Sequence, residues 1–365
     1  MPFLSFGVEK YHKFPTSLYT SLYTGCRSAM FWSTHQWRRP AGRSWAHTGF
    51  ACLVILLLLA LPSCAPLQPA GDTAALAEAT RLNREAILLY NAGKYAQAEP
   101  LYRRSLAIRE KALGPEHPDV ATSLNNLAEL YRAQGQYAQA EPLYRRSLAI
   151  MEKALGPEQP HVAASLSNLA ALYYAQGQYA QAEPLYRRSL AIREKALGPE
   201  HPDVATSLNN LALLYEAQGQ YAQAEPLFRR SLAIWEKALG PEHPHVATSL
   251  NNLAGLYRAQ GQYAEAEPLF RRSLAIMEKA LGPEHPAVAT SLNNLAEFYR
   301  AQGQYAEAEP LFRRSLAIME KALGPEHPHV AACLENYAGL LRKTNRESEA
   351  AKLEARAKAI RAKRP

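Results

Sequence analysis

The sequence predicts an all-α solenoid of about seven helix–turn–helix units, and three observations carry that prediction. The chain repeats itself with a period of 42 residues, as residues 119–160 show when set beside 203–244. A period of about 20–50 residues marks an array of stacked supersecondary units, not one globular core. Within each unit apolar residues recur at i, i+3, i+4 and i+7, the stripe of an amphipathic helix. Glycines punctuate the array at Gly93, Gly135, Gly177, Gly219, Gly261 and Gly303, each 42 residues from the next. Asn345 takes the same place in a diverged last copy. The units begin near residues 79, 121, 163, 205, 247, 289 and 331.

One unit shows how each element arises. Leu124, Leu127, Ala128 and Tyr131 form the stripe of its first helix. Pro118 sits near the start, where a missing N–H is harmless. Gln134-Gly135 ends it, because glycine accepts the left-handed conformation of a helix C-cap. The second helix is expected from about Tyr137 to Leu155, with Gly156-Pro157 as its stop signal. Its stripe is Ala140, Leu143, Tyr144, Ser147 and Leu148, and the small Ala140 and Ser147 let neighbouring helices approach closely. Pro142 lies just past the first turn, at the limit of what a helix accepts without kinking. No unit can bury its apolar face alone, so stacking must supply the core and the end units must differ. They do: Leu89 replaces the tyrosine in the first unit, and Glu347 and Lys358 replace a tyrosine and a leucine in the last.

These residues resemble the tetratricopeptide repeat, in the 42-residue variety found in kinesin light chains. The carriers are Leu124, Leu127, Ala128, Tyr131, Gly135, Tyr137, Ala140, Tyr144 and Leu148 and their counterparts in each central unit. The linker LGPEHPDVA and the segments NNLA and AEPLYRRSLAI add to the likeness, which covers about residues 79–362. The resemblance implies a right-handed superhelix whose first helices line a concave surface, and a role in binding proteins. It does not carry over a motor-cargo role, because the chain starts with what reads as a secretory signal.

That signal is the apolar run of residues 49–61, GFACLVILLLLAL, which follows Arg38, Arg39 and Arg43. It is too short for a comfortable membrane span of about 20 residues, and fits the h-region of a signal peptide. Leu61-Pro62-Ser63-Cys64 resembles the lipobox of bacterial lipoproteins. The resemblance implies lipidation at Cys64 and, with Ala65 following, a place on the outer membrane facing the periplasm. An uncleaved signal anchor is the alternative. The expected organisation is an extension and signal over 1–63, with translation starting at Met30, and a lipidated tether over 64–78. The solenoid then spans 79–362, leaving a basic tail at 363–365.

The net charge of +8 is unevenly placed: residues 1–64 carry +5, residues 342–365 carry +6, and the body between them −3. Nucleic-acid binding needs a basic stripe along the binding face, which this body lacks. Cys26, Cys52, Cys64 and Cys333 are too few and scattered for a disulfide scaffold or zinc site. The charged last helix reads as a solvating cap.

On the concave side, Asn126, Asn168, Asn210, Asn252, Asn294 and Asn336 occupy one repeat position in every unit after the first. An amide that both donates and accepts suits the backbone of an extended peptide. The same row could instead bond the neighbouring helix and keep the stacking register. Two further columns vary while the core stays fixed: Glu129, Ala171, Leu213, Gly255, Glu297, and Arg132, Tyr174, Glu216, Arg258, Arg300. They are candidates for reading side chains, with drift at exposed positions as the alternative. Eight histidines lie in the inter-unit loops, including His243-Pro244-His245 and His327-Pro328-His329. Zinc needs three or four convergent ligands, so the EHP triplets read as turns and helix starts. The arginine pairs from Arg103-Arg104 to Arg313-Arg314 read as a solvated convex face. No phosphate loop, nucleophile elbow or metalloprotease signature occurs. The chain is therefore expected to be a cofactor-free binding protein, holding a peptide or partner helix in its groove, of unspecified oligomeric state. A scaffold acting through its convex surface is the alternative.

Overall fold

The computed structural model describes residues 70–362, which form fourteen helices in seven consecutive pairs. The pairs are α1 (Ala70–Asn91) with α2 (Tyr95–Leu113), α3 (Pro118–Ala133) with α4 (Tyr137–Leu155), and α5 (Pro160–Ala175) with α6 (Tyr179–Leu197). Next come α7 (Pro202–Ala217) with α8 (Tyr221–Leu239), and α9 (Pro244–Ala259) with α10 (Tyr263–Leu281). The last are α11 (Pro286–Ala301) with α12 (Tyr305–Leu323), and α13 (Pro328–Lys343) with α14 (Glu347–Ala362). The expected signal region, the Met30 start, Cys64 and residues 363–365 lie outside the described residues. Residues 70–78, expected as tether, are instead the first turns of α1. Their alanines favour helix, and Asp72 in the first turn complements the helix dipole. No helix among the described residues is long and apolar enough to cross a membrane.

The helix ends follow the loop sequences. His117, His201, His243, His285 and His327 are N-caps, each accepting through Nδ1 the backbone N–H two residues on, at 3.1–3.2 Å. Proline then occupies the first helical position, where its lost N–H is one of the orphans anyway. At the other end, Gly135 takes φ +75° and the Gln136 N–H reaches back to the Tyr131 carbonyl at 2.8 Å. This is a Schellman cap. Asn345 does the same at φ +59°, a conformation asparagine tolerates better than other non-glycine residues. The second helices run unbroken through their prolines, Pro142 among them.

Small residues set the spacing within a pair. Ser147 is buried in α4 and donates its hydroxyl to the Ala121 carbonyl of α3 at 2.8 Å. The same bond recurs from Ser105, Ser189, Ser231, Ser273 and Ser315. Packing between pairs is apolar: Val120, Leu124 and Ile150 of one unit share a core with Val162, Leu166 and Ile192 of the next. Each second helix packs on the following first helix, and successive first helices also touch directly. Crowding of the first helices makes their side the concave one. The first unit has no predecessor among the described residues, and Leu88, whose counterparts Leu130 and Leu172 are fully buried, is 65% exposed.

The arginine pairs are not simply solvated. Arg145 donates to Tyr173 at 2.7 Å and pairs with Glu141, so that a Glu–Arg–Tyr triplet ties α4 to α5. The second arginine of each pair reaches backward, Arg146 to Glu110 and Arg188 to Glu152, both at 2.7 Å. The pattern recurs because the period is constant. Arg346, just before the last helix, and Arg356 and Arg361 within it are paired with Glu309, Glu320 and Glu335. Much of the C-terminal positive charge is thus spent on stacking the cap. Finally, the superhelix returns on itself. Gly93, in the turn after α1, lies against His327 and Pro328 at the start of α13.

Candidate functional site

The first helices α3, α7, α9 and α11 each carry a threonine and an Asn-Asn pair ahead of two variable positions, while α1, α5 and α13 depart from that pattern. The asparagine row divides in two. Asn126 donates Nδ2 to Asn83 Oδ1 at 3.0 Å, and Asn168 does so to Asn125 at 2.8 Å. Asn252 donates to Asn209 at 2.8 Å and Asn336 to Asn293 at 3.1 Å. These four amides form a ladder across adjacent first helices, the register-keeping arrangement. A buried amide left unpaired would cost about 1–3 kcal/mol, a cost that these four bonds avoid. The ladder fails at two steps. Ser167 stands where Asn210 would find its acceptor, and bonds Ser189 instead at 2.7 Å. Between Asn294 and Asn251 no bond forms, and Asn251 Oδ1 is buried without a hydrogen-bond partner.

The accepting residues Asn83, Asn125, Asn209 and Asn293 did not stand out in the sequence as partners. Their signal is a spacing of 43, one more than the period, which links the first asparagine of one unit to the second of the next.

The variable columns also split. Toward the ends of the face they close on themselves. Glu129 receives Arg132 Nε at 3.2 Å and the Tyr144 hydroxyl at 2.6 Å. Glu297 receives Arg300 at 2.6 and 3.0 Å. Toward the middle they do not. Tyr174 packs its ring at 5.7 Å on Tyr179. Leu213, expected in the groove, is only 4% exposed and belongs to the core. The Glu216 carboxyl makes neither a hydrogen bond nor an ion pair within the described residues, and burial pushes it up to about 7, against the pull of Arg258. Burial lowers Arg258, while Glu297 and Glu216 act on it in the other direction. At Gly255 no side chain fills the place that Glu129 and Glu297 fill in their units. The nearest atom to a β-carbon there would be Glu216 Oε1, at 3.8 Å.

Five of the eight loop histidines cap helices, and among the described residues no three His, Cys, Asp or Glu side chains converge to hold a metal. Cys333 is a buried free thiol.

The tetratricopeptide repeat family model matches residues 77–153, 161–237, 208–279, 246–297 and 287–363. Among solved structures, the kinesin-light-chain-type protein of Podosopora anserina with nearly identical TPR-like repeats is 38% identical. The match covers 56% of this chain and 97% of that one, at a TM-score of 0.48. BtubC (BKLC) from P. vanneervenii is 25% identical over 70% of this chain and 94% of that one, at 0.49. A Rap protein complexed with Competence and Sporulation Factor has the same fold at 15% identity and TM-score 0.60, covering 78% of this chain and 75% of that one. Among curated proteins none matches.

Proposed function

The chain belongs to the tetratricopeptide repeat family, and from that premise we propose an envelope-anchored interaction protein whose concave face holds an extended segment of a partner. The fold is that of a protein-interaction or scaffold module. The observation that supports groove binding is the pair of gaps in the asparagine ladder. Asn210 and Asn294 lie on α7 and α11 with side-chain amides that the ladder does not use, one on each side of α9. An amide with donor and acceptor both unspent is suited to a passing peptide backbone. The Rap protein of the same fold was solved with a factor bound, an occupied solenoid of this kind.

Anchoring rests on the sequence of residues 49–64, with Cys64 as the lipidated residue. Labelled palmitate incorporated by the wild-type chain and lost in Cys64→Ser supports it; equal labelling of both would remove it. Groove binding is tested by affinity capture from detergent-solubilised envelope with the whole chain as bait. A partner lost from Asn210→Ala/Asn294→Ala, with unchanged helicity and melting, supports the groove. A partner kept by that variant moves the function to the convex face and the scaffold reading.

A further inference from the structure

The middle of the concave face has an imbalance that its ends lack. Glu129 with Arg132, and Glu297 with Arg300, are pairs closed within one helix. Arg342, in the last unit, is held by Glu354. Glu216 differs from Glu129 and Glu297 in forming no ion pair. Arg258, on the next first helix, is near enough to act on it, but Glu297 acts on Arg258 more strongly. A half-buried carboxylate without a partner is costly. Here it stands over the open place at Gly255, at 3.8 Å from where a side chain would begin. The comparable place at Gly339 lies under Arg300, already committed to Glu297. Of these two glycine places among the described residues, the one at Gly255 is faced by an acceptor with no ion pair.

We infer that the place bounded by Gly255 and Glu216 receives one basic side chain, lysine or arginine, of the segment bound in the groove. The inference rests on the groove reading above and names the chemistry recognised. Asn210 and Asn294 would hold backbone on either side, while Glu216 supplies the missing counter-charge. A charge-assisted bond of this kind is roughly twice as strong as a neutral one. The neighbouring units also indicate how the site is abolished. A glutamate at 255 lies three residues before Arg258, as Glu129 precedes Arg132 and Glu297 precedes Arg300, so Gly255→Glu would fill the place with a side chain the fold already tolerates.

The test is selection of random peptides on the whole chain, followed by affinity measurement of an enriched peptide against variants. Lysine or arginine should be enriched at one position, and Glu216→Gln and Gly255→Glu should each weaken binding about tenfold or more. Replacing that basic residue by norleucine or citrulline should produce the same loss, and no further loss in Glu216→Gln. Wild-type affinity should rise from pH 6 to pH 8, with Glu216→Gln flat. Enriched peptides that need Asn210 and Asn294 but carry no basic residue would overturn this inference and leave the groove reading. Peptides indifferent to the Asn210→Ala/Asn294→Ala variant, or no enrichment at all, would overturn both.

Discussion

Gly93 and His327 belong to the first and the last units, yet a β-carbon at Gly93 would stand 3.1 Å from the His327 ring. The other turn glycines with positive φ, Gly135 to Gly303, have open space at that position. The burial agrees: His327 is 7% exposed, whereas the capping histidines His117 and His201 keep side-chain exposures of 40% and 39%. The turn edge of the first unit thus meets the loop edge of the last. Gly93→Ala and Gly135→Ala should both lose about 1–2 kcal/mol to the left-handed backbone. Only Gly93→Ala should also part the two edges, read as a larger radius of gyration in small-angle scattering. Identical scattering from both variants would argue against the contact.

The asparagine ladder predicts two classes of variant. Asn126→Ala and Asn252→Ala each remove an amide–amide bond between units and should lower stability by about 1 kcal/mol. Asn210→Ala and Asn294→Ala remove none and should melt with the wild type or slightly above it, since alanine is the better helix former. Urea unfolding of the four single variants checks the division.

Tyr173 donates to Glu141 at 2.9 Å and accepts from Arg145, linking two units through one hydroxyl. Tyr173→Phe keeps the ring and should cost about 1 kcal/mol, the network being partly solvated. Tyr257→Phe, two units on, should cost a similar amount. Sites this far apart should add within about 0.5 kcal/mol. A double variant measured by denaturant unfolding gives the sum.

Two groups give opposite pH slopes. Glu216 is raised by burial from 4.5 to about 7, so the folded state holds its proton longer. Its contribution is fully present below pH 4.5 and is lost as pH rises through about 7. Glu216→Gln should therefore melt above the wild type at pH 8 and converge with it near pH 4.5. His243 is lowered by burial from 6.5 and must be neutral at Nδ1 to accept the His245 N–H. Its contribution is present above pH 6.5 and lost on acidification. His243→Asn keeps a capping acceptor without a titration, and should flatten that acid limb in melting curves taken from pH 7 to 5.

Most of the fold was legible in the sequence because a solenoid is written in its period. Gly135 fixes a turn and Ser147 a close approach by residue type alone, and both recur where the structure repeats them. What was not legible depends on which unit faces which. Asn126 fits a peptide contact or a bond to the neighbouring helix until Asn83 is placed opposite it across the interface. Arg145 and Arg146 read as solvated until the next tyrosine and the previous glutamate come within reach. Leu213 looked like a groove residue because its column varies, and the helix turned it into the core. The gaps at Ser167 and Asn251 are visible only as departures from a ladder whose existence the structure reveals.

The central claim is that the inner side of units four to six holds the partner. Hydrogen exchange of the whole chain, with and without the captured partner or a selected peptide, tests it most directly. Slowed exchange in α7, α9 and α11, with α8 and α10 unchanged, is the predicted result. Protection confined to the second helices, with α7, α9 and α11 exchanging as in the free chain, would contradict it.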